Sequence, residues 1–221
     1  MQTRTKGDTK MGQAINRNRG YMVLLLGVAL LASQVTATAA PTTAAWSTDA
    51  AHTEINFSVK HFFTPVSGSF EDYEIDLDYN AEQPEKSTVE ARIKVASVNT
   101  GNQKRDDHLR SGDWFEADKY PYITFKSTSV RLVSENQLIA SGSLTIKGKS
   151  QQVELPITLL GNQMIPEQMQ PMLGGTKNVA SFQATTAIDR GDFGVGVGNW
   201  AATMVVGSEI KIEILLEAHI S

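Results

Sequence analysis

The sequence predicts an all-β fold: an eight-stranded antiparallel barrel with one short helix between strands. Apolar and polar residues alternate with a period of two in a series of short stretches, as they do in half-buried strands. Short turns separate these stretches, which makes neighbouring strands antiparallel. A sandwich fits the same pattern, but a closed barrel is favoured because closure leaves no exposed sheet edge.

Residues 1–40 are predicted to be a secretory signal. Residues 1–20 carry five basic side chains and one acid, and an apolar run of 11 residues, Tyr21 to Leu31, follows them. That run is shorter than the roughly 20 residues that cross a bilayer as a helix. Ala37-Thr38-Ala39 has the form that signal peptidase recognises. We therefore expect Sec-dependent export to the periplasm and no stable membrane insertion after cleavage; an uncleaved anchor is the alternative.

The predicted mature chain, residues 41–221, is acidic and has no cysteine. It carries 15 basic and 23 acidic residues, a formal charge of −8. Such a surface repels phosphate backbones, so nucleic acid is not an expected partner. Its length fits a single domain with a substantial core. Without cysteine, the fold has neither disulfides nor thiolate zinc sites.

The strand pattern begins at residues 53–63, TEINFSVKHFF, whose odd-numbered residues are mostly apolar. Pro65 interrupts this pattern, and a returning strand continues to Phe70. The next stretch, residues 73–79, has the opposite phase, so a bend is predicted at Glu71-Asp72. Further strands are predicted at residues 89–95, 122–127, 138–146, 153–159, 180–188 and 208–216. Pro156 predicts weak pairing in one of them, and residues 161–178 are predicted to form a long loop.

Residues 102–111, NQKRDDHLRS, are predicted to form the helix. Asn102 is a suitable N-cap, and Ser111-Gly112 ends the helical pattern. Trp114 and Phe115 follow, where they can close over an apolar interior. Near the start of the mature chain, Trp46 is predicted to cover one end of the structure.

The inward face of the predicted barrel mixes large and small side chains. An eight-stranded barrel either fills its interior or holds one small ligand. Aromatic residues at Phe57, Phe125 and Phe182 alternate with small residues such as Ala91, Ala140, Gly142 and Ala184. This mixture favours an interior that side chains do not fill. The alternative is that the same residues form a packed core.

Four motifs, in this order, resemble the YceI-like family of exported lipid-binding, polyisoprenoid-binding proteins: WSTDAAHTEINFSVKH, RDDHLRSGDWF with KYPYITF, SGSLTIKGKS and IDRGDFG. The resemblance spans roughly Trp46 to Ala218. It implies a lipocalin-like barrel whose lumen binds the tail of a long isoprenoid or related amphiphile. The residues that match the family motifs are Asp49, His52, Phe57, His61, Arg105, Asp106, His108, Leu109, Arg190, Asp192, Phe193 and Gly194. The chain departs from the family at Thr53, where serine is common, and in residues 162–177, which contain three methionines.

We therefore predict a non-enzymatic carrier for one long-chain amphiphile, such as a polyisoprenoid, an isoprenoid quinone or a similar lipid. No catalytic residue, metal or cofactor is predicted, and a homodimer stays open. The predicted ligand-binding residues are Phe57, Val59, Phe70, Ile93, Phe125, Leu144, Phe182, Ile212, Arg105 and Arg190. The two arginines are included because arginine pairs well with a phosphate head group. The alternative for Arg105 is a surface charge that ties the helix to the barrel.

Two other classes of function are weighed against the carrier. One is an enzyme that acts on an amphiphile, with His52 or Asp189 at the barrel mouth; the sequence has no cysteine and no G-x-S-x-G elbow. The other is a stress-related structural or partner-binding module with a filled barrel. A metal pair of His52 and His61 is disfavoured because residues nine apart on a regular strand face opposite sides.

Overall fold

The described part of the chain is residues 45–202 and 204–221 of a computed structural model. The predicted signal sequence, residues 1–40, lies outside the described residues. The strands are β1 (Ser47–Thr48), β2 (Glu54–His61), β3 (Thr64–Phe70), β4 (Tyr73–Asp78), β5 (Thr88–Lys94), β6 (Val98–Asn99), β7 (Tyr122–Ser134), β8 (Gln137–Ile146), β9 (Lys149–Met164), β10 (Asn178–Asp189) and β11 (Val206–Ile220). The helix α1 is Gln103–Arg110, and short 3₁₀ turns occupy Pro84–Lys86, Val95–Ser97, Gln170–Leu173 and Gly198–Trp200.

The strands form one curled antiparallel sheet in the order β4-β5-β7-β8-β9-β10-β11-β2-β3-β6, and β1 pairs with β11. The predicted all-β antiparallel fold with one helix is therefore confirmed. The strand count is eleven where eight were expected. Two of the eleven, β1 and β6, have two residues each, which is too short to show an alternating pattern.

Within the described residues, no strand ladder joins the end strand β4 to β3 or to β6 at the other end, so the sheet is a half-barrel and not the closed barrel that we expected. The seam opens at Glu71-Asp72, where the predicted bend separates the two strands. Two backbone hydrogen bonds cross this region: Glu71 N–H donates to Ser97 O at 3.3 Å, and Lys94 N–H donates to Asp72 O at 2.9 Å. The bend therefore reverses the phase of the strand pattern and also sets where the barrel stays open.

Strand β9 is longer than the sequence pattern predicted. It runs to Met164 and pairs with β10 up to Asn178, so the expected loop shortens to residues 165–177. The end of this strand is exposed on both faces, at Gly161, Asn162 and Gln163. Because neither face is buried there, the sequence does not alternate between apolar and polar residues. Pro156 pairs with Ile139 of β8, whereas the ladder with β10 ends one residue away, at Ile157. The weak pairing that Pro156 predicted is therefore found on the side of β9 that faces β10 and not on the side that faces β8.

Helix α1 is held to the sheet by its own charged residues. The side-chain oxygen of Asn102 accepts a hydrogen bond from Arg105 N–H at 3.1 Å, as predicted for the N-cap. Asp106 is buried and accepts from both the N–H and the hydroxyl of Thr100. Arg110 donates to the carbonyl oxygens of Ala96 (3.0 Å) and Val98 (3.1 Å). The helix is too short and too polar to span a membrane, and no other described helix can do so.

We expect the substitution Gly142→Ala to destabilise the fold. A Cβ atom at this position in β8 would lie 2.7 Å from Cζ of Phe125 and would also strike the carbonyl oxygen of Lys126. Overpacking of this kind costs about 1 to 3 kcal/mol in the free energy of unfolding, measurable by urea denaturation. Gly161→Ala is the matched control, since nothing lies within 4 Å of its Cβ position in β9. Equal effects of the two substitutions would contradict the expected close packing.

Candidate ligand-binding cavity

The concave face of the sheet encloses a cavity of about 230 Å³. At one end its wall includes Tyr79 and Phe182, and at the other end it includes Trp114 and Phe193. Inward-facing side chains from β2 to β5 and from β7 to β11 form the wall between them. The exposed surface of the cavity is apolar throughout. The interior can therefore solvate a hydrocarbon but offers no polar atom to bind a head group.

Several inward-facing residues are only half-buried, although they point away from the outer surface. Val153, Leu155 and Ile157 of β9 all have this intermediate exposure, as do Ile212 and Ile214 of β11. In a filled barrel such side chains would be almost completely buried, because protein cores are close-packed. The interior in this structure is open, and the filled-barrel alternative does not describe it.

Small residues on the wall give the aromatic rings a place to lie. A Cβ atom on Gly68 would be 2.6 Å from Cζ of Phe57, so that ring rests directly on the glycine of the neighbouring strand. Phe125 lies against Gly142 in the same way. These rings therefore cover the wall and do not cross the cavity.

Nine of the ten predicted ligand-binding residues line the cavity. They are Phe57, Val59, Phe70, Ile93, Phe125, Leu144, Phe182, Ile212 and Arg190. Arg105 does not line it: its guanidinium is exposed and donates to the hydroxyl (2.7 Å) and the carbonyl oxygen (2.8 Å) of Thr100. This contact matches the alternative in which Arg105 secures the helix. The cavity is also lined by residues that were not among the predicted ligand-binding residues, including Ile75, Leu155, Ile157 and Val195. The period-2 pattern had marked the first three as inward-facing.

Arg190 is buried, at 3% exposure, and every one of its N–H groups is used inside the protein. Nε donates to Gly207 O at 2.9 Å, Nη1 to Val195 O at 2.9 Å and to Gly196 O, and Nη2 to Trp200 O at 2.8 Å and Val206 O at 3.0 Å. Burial lowers the pKa of the guanidinium. With no donor left over, Arg190 is not suited to the head-group role predicted for it. Its role is to fix the chain between β10 and β11.

An aromatic cluster covers this end of the cavity. Trp114 is buried, lies 5.3 Å from the Arg190 guanidinium and packs at 5.8 Å against Trp200. Asp113 accepts hydrogen bonds from His108 Nε2 and Trp200 Nε1, both at 3.2 Å, and these bonds lower the pKa of its carboxyl. Trp114 and Phe115 thus lie over the apolar interior as the sequence predicted, with Phe115 packed against the core.

The other end is covered by the segment that precedes β2. Trp46 Nε1 donates to Tyr79 O at 2.7 Å, and the two rings lie 5.7 Å apart. Tyr79 in turn packs edge-on against Phe182, with ring centroids 5.0 Å apart. Burial raises the pKa of the Tyr79 phenol. The predicted position of Trp46 over one end is therefore confirmed.

The two residues proposed for an enzymatic alternative lie far apart. His52 lies beside Glu217 of β11, whereas Asp189 pairs with Glu209 of the same strand. Glu217 and Glu209 are eight residue steps apart on β11, and at about 3.3 Å per step this is about 26 Å. The Asp189 carboxylate accepts a hydrogen bond from Gly191 N–H at 2.7 Å, as in a turn. His52 and Asp189, each of which was an alternative candidate on its own, therefore lie beside different places along β11.

Comparison with known proteins gives one consistent result. The sequence matches the family model described as the YceI-like domain over residues 46–218. A UPF0312 protein of Shewanella putrefaciens is 30% identical over 194 residues, which are 87% of this chain and 94% of that protein. The crystal structure of BcnA from Burkholderia cenocepacia is 27% identical, with a TM-score of 0.69 over 77% of this chain and 99% of that one. A polyisoprenoid binding domain from Saccharophagus degradans, implicated in plant cell wall breakdown, shares the fold at 15% identity, with a TM-score of 0.60 over 80% and 99%.

We expect Arg190→Lys to lower the free energy of unfolding by at least about 2 kcal/mol. A lysine has three N–H donors on a single atom and would leave buried carbonyl oxygens unpaired, each at a cost of about 1 to 3 kcal/mol. Thermal or urea unfolding measures the change. Arg131→Lys is the control, because Arg131 is exposed and its ion pair with Glu154 is 3.8 Å long. A loss for Arg190→Lys as small as for the control would show that the buried bonds do not hold this loop.

Proposed function

The chain belongs to the YceI-like family, and from that premise we propose that it is a non-enzymatic carrier for one long-chain amphiphile. Its cavity takes the hydrocarbon tail of a polyisoprenoid, an isoprenoid quinone or a similar lipid. The head group stays outside the apolar part of the cavity. The observation that carries this proposal is the continuous apolar surface of an open interior, bounded at its ends by aromatic side chains.

The size of the cavity sets the length of tail that fits without movement of the wall. A cavity of about 230 Å³ is more than ten times larger than the roughly 10 to 15 Å³ that one water molecule needs, so it has room for a short hydrocarbon tail. A longer tail requires the wall to expand or leaves part of the chain outside.

Burial of the tail supplies the affinity. Each buried methylene contributes about 0.8 kcal/mol, so a tail of this length can bind tightly without a strong polar contact. Arg190, which was predicted to meet a head group, donates its N–H groups to backbone carbonyl oxygens instead. This agrees with a ligand that is recognised through its hydrocarbon part. A protein that recognises its ligand in this way selects for the type of hydrocarbon tail and not for one particular head group.

We propose that the carrier acts outside the cytoplasm, in the periplasm. Support comes from the N-terminal sequence, in which a basic stretch, a short apolar run and Ala37-Thr38-Ala39 follow one another as in a secretory signal. An acidic mature chain without cysteine is compatible with that compartment, since its fold needs no disulfide. A carrier there would move or store lipids that are almost insoluble in water.

Mass spectrometry of an organic extract of the purified protein tests the ligand class. We expect a polyprenyl lipid or an isoprenoid quinone at up to one molecule per chain. After delipidation, the protein should take up a polyprenyl chain supplied in detergent. An extract without such lipids, together with no uptake by the delipidated protein, would refute the carrier function.

The substitution Ala184→Phe should fill the cavity. Ala184 lies on its wall and is 6% exposed. A phenyl ring there would displace about five methylene groups, each worth about 0.8 kcal/mol, so the affinity for the polyprenyl chain should fall by about 700-fold. The measurement is a binding titration of the delipidated protein, with the folded state checked by circular dichroism.

Ala187→Phe is the matched control, because Ala187 is on the same strand but exposed. This variant should bind as the original protein does. If Ala184→Phe folds and binds the polyprenyl chain with unchanged affinity, the tail does not occupy the apolar cavity on the concave face of the sheet.

A further inference from the structure

Side chains with metal-binding atoms meet where β1 pairs with β11. Glu217 and His219 are two residues apart on β11 and therefore project from the same face. Asp49 follows β1 and is held beside them, because its N–H donates to Glu217 O at 2.9 Å. His52 lies in the turn before β2. We call this group of side chains the end cluster; its members are Asp49, His52, Glu217 and His219.

The distances in the end cluster match those around a single metal ion. One oxygen of Asp49, one oxygen of Glu217 and one ring nitrogen of His219 all lie within 4.8 Å of one another. His219 Nε2 is 3.0 Å from Glu217 Oε1 and 3.8 Å from Asp49 Oδ2. Zinc bonds of about 2.0 to 2.2 Å in a tetrahedron place neighbouring ligand atoms about 3.3 to 3.5 Å apart. The ligand atoms are therefore close to their positions in a tetrahedral site.

His52 is placed to complete the set. Its Nδ1 lies 2.7 Å from Asp49 Oδ2 and 3.7 Å from Glu217 Oε1, the same two oxygens that face His219. The imidazole is 65% exposed, so it can turn toward an ion without displacing neighbours. Imidazole nitrogens and carboxylate oxygens are both ligands that zinc takes in proteins.

In each of the two carboxylates, the oxygen that does not face the histidines accepts a hydrogen bond. This hydrogen bond orients the carboxylate. Asp49 Oδ1 accepts from Ala51 N–H at 2.8 Å, and Glu217 Oε2 accepts from the hydroxyl of Ser181 at 3.2 Å. Outer bonds of this kind fix the direction of a metal ligand. They leave Asp49 Oδ2 and Glu217 Oε1 directed at the same space, where a cation would relieve the repulsion between two negative charges.

We propose that the end cluster binds one divalent transition-metal ion of the zinc class, with Asp49, Glu217 and His219 as ligands and His52 as the fourth. The three core ligands are 21 to 29% exposed, so the ion can enter from solvent. The sequence reasoning missed this site because Asp49 and His219 are 170 positions apart and only the pairing of β1 with β11 brings them together.

Metal binding would strengthen the cover over one end of the cavity. The segment that carries Asp49 also reaches across to β4, where the hydroxyl of Thr48 donates to Ile75 O at 3.0 Å. The same segment places Trp46 on Tyr79, whose ring lines the cavity. An ion that joins Asp49 to β11 would therefore hold this segment in place.

Calorimetric titration with Zn²⁺ tests the proposal, on protein prepared without a polyhistidine tag, treated with a chelator and delipidated. We expect one ion per chain, and a rise in the melting temperature when Zn²⁺ is added. The substitution His219→Ala should weaken Zn²⁺ binding by at least about tenfold and abolish that rise. Glu217→Gln, which keeps the side-chain shape, serves if the alanine variant does not fold.

His61→Ala is the matched control. It removes an exposed imidazole at the far end of β2, where His61 pairs with Thr64 and Val206, and should leave Zn²⁺ binding unchanged. The proposal is overturned if the original protein binds no stoichiometric Zn²⁺, or if His61→Ala weakens binding as much as His219→Ala does. Because delipidated protein is used, failure of this test leaves the carrier function unaffected, and failure of lipid uptake leaves the metal result interpretable.

Discussion

Close contact between aromatic rings and glycines of neighbouring strands keeps the interior of this protein open. Phe57 lies on Gly68 and Phe125 lies on Gly142, with no space for even one further carbon atom between ring and backbone. Each ring therefore covers the sheet and leaves the centre free. An open apolar centre lacks the dispersion contacts of a filled core. Under the proposed function, a hydrocarbon tail would restore those contacts, so the packing that keeps the centre open would also favour the binding of a lipid.

The charged residues of the family motifs serve the frame around this cavity. Asp106 accepts hydrogen bonds from Thr100, and Arg190 donates to five backbone carbonyl oxygens. Both side chains are buried, and a buried charge is tolerated only when such bonds compensate the loss of water. They hold helix α1 and the chain between β10 and β11 at one end of the sheet. Polar chemistry in this fold thus positions the covers, while apolar side chains line the cavity.

The two ends of the cavity are closed by different means. At one end, Trp114 is fixed by its packing on Arg190 and Trp200. At the other end, Trp46 is fixed by a hydrogen bond to a backbone carbonyl oxygen and by a two-residue strand. The second cover is joined to β11 through a strand of only two residues. An ion in the end cluster would compensate for this, since it would join the covering segment to β11.

The sequence by itself determined which residues face inward, where the helix begins and where the strand phase reverses. These features depend on local periodicity, on the Asn102 cap and on the break at Glu71-Asp72, all of which are read within a few residues. Only the tertiary structure decided that the inner face surrounds a cavity, that Arg190 is fully bonded, and that Asp49 meets His219. The physical reason is the same in each case: free volume, hydrogen-bond partners and ligand distances arise between strands remote in sequence, and alternation within one strand carries no information about its partner's position.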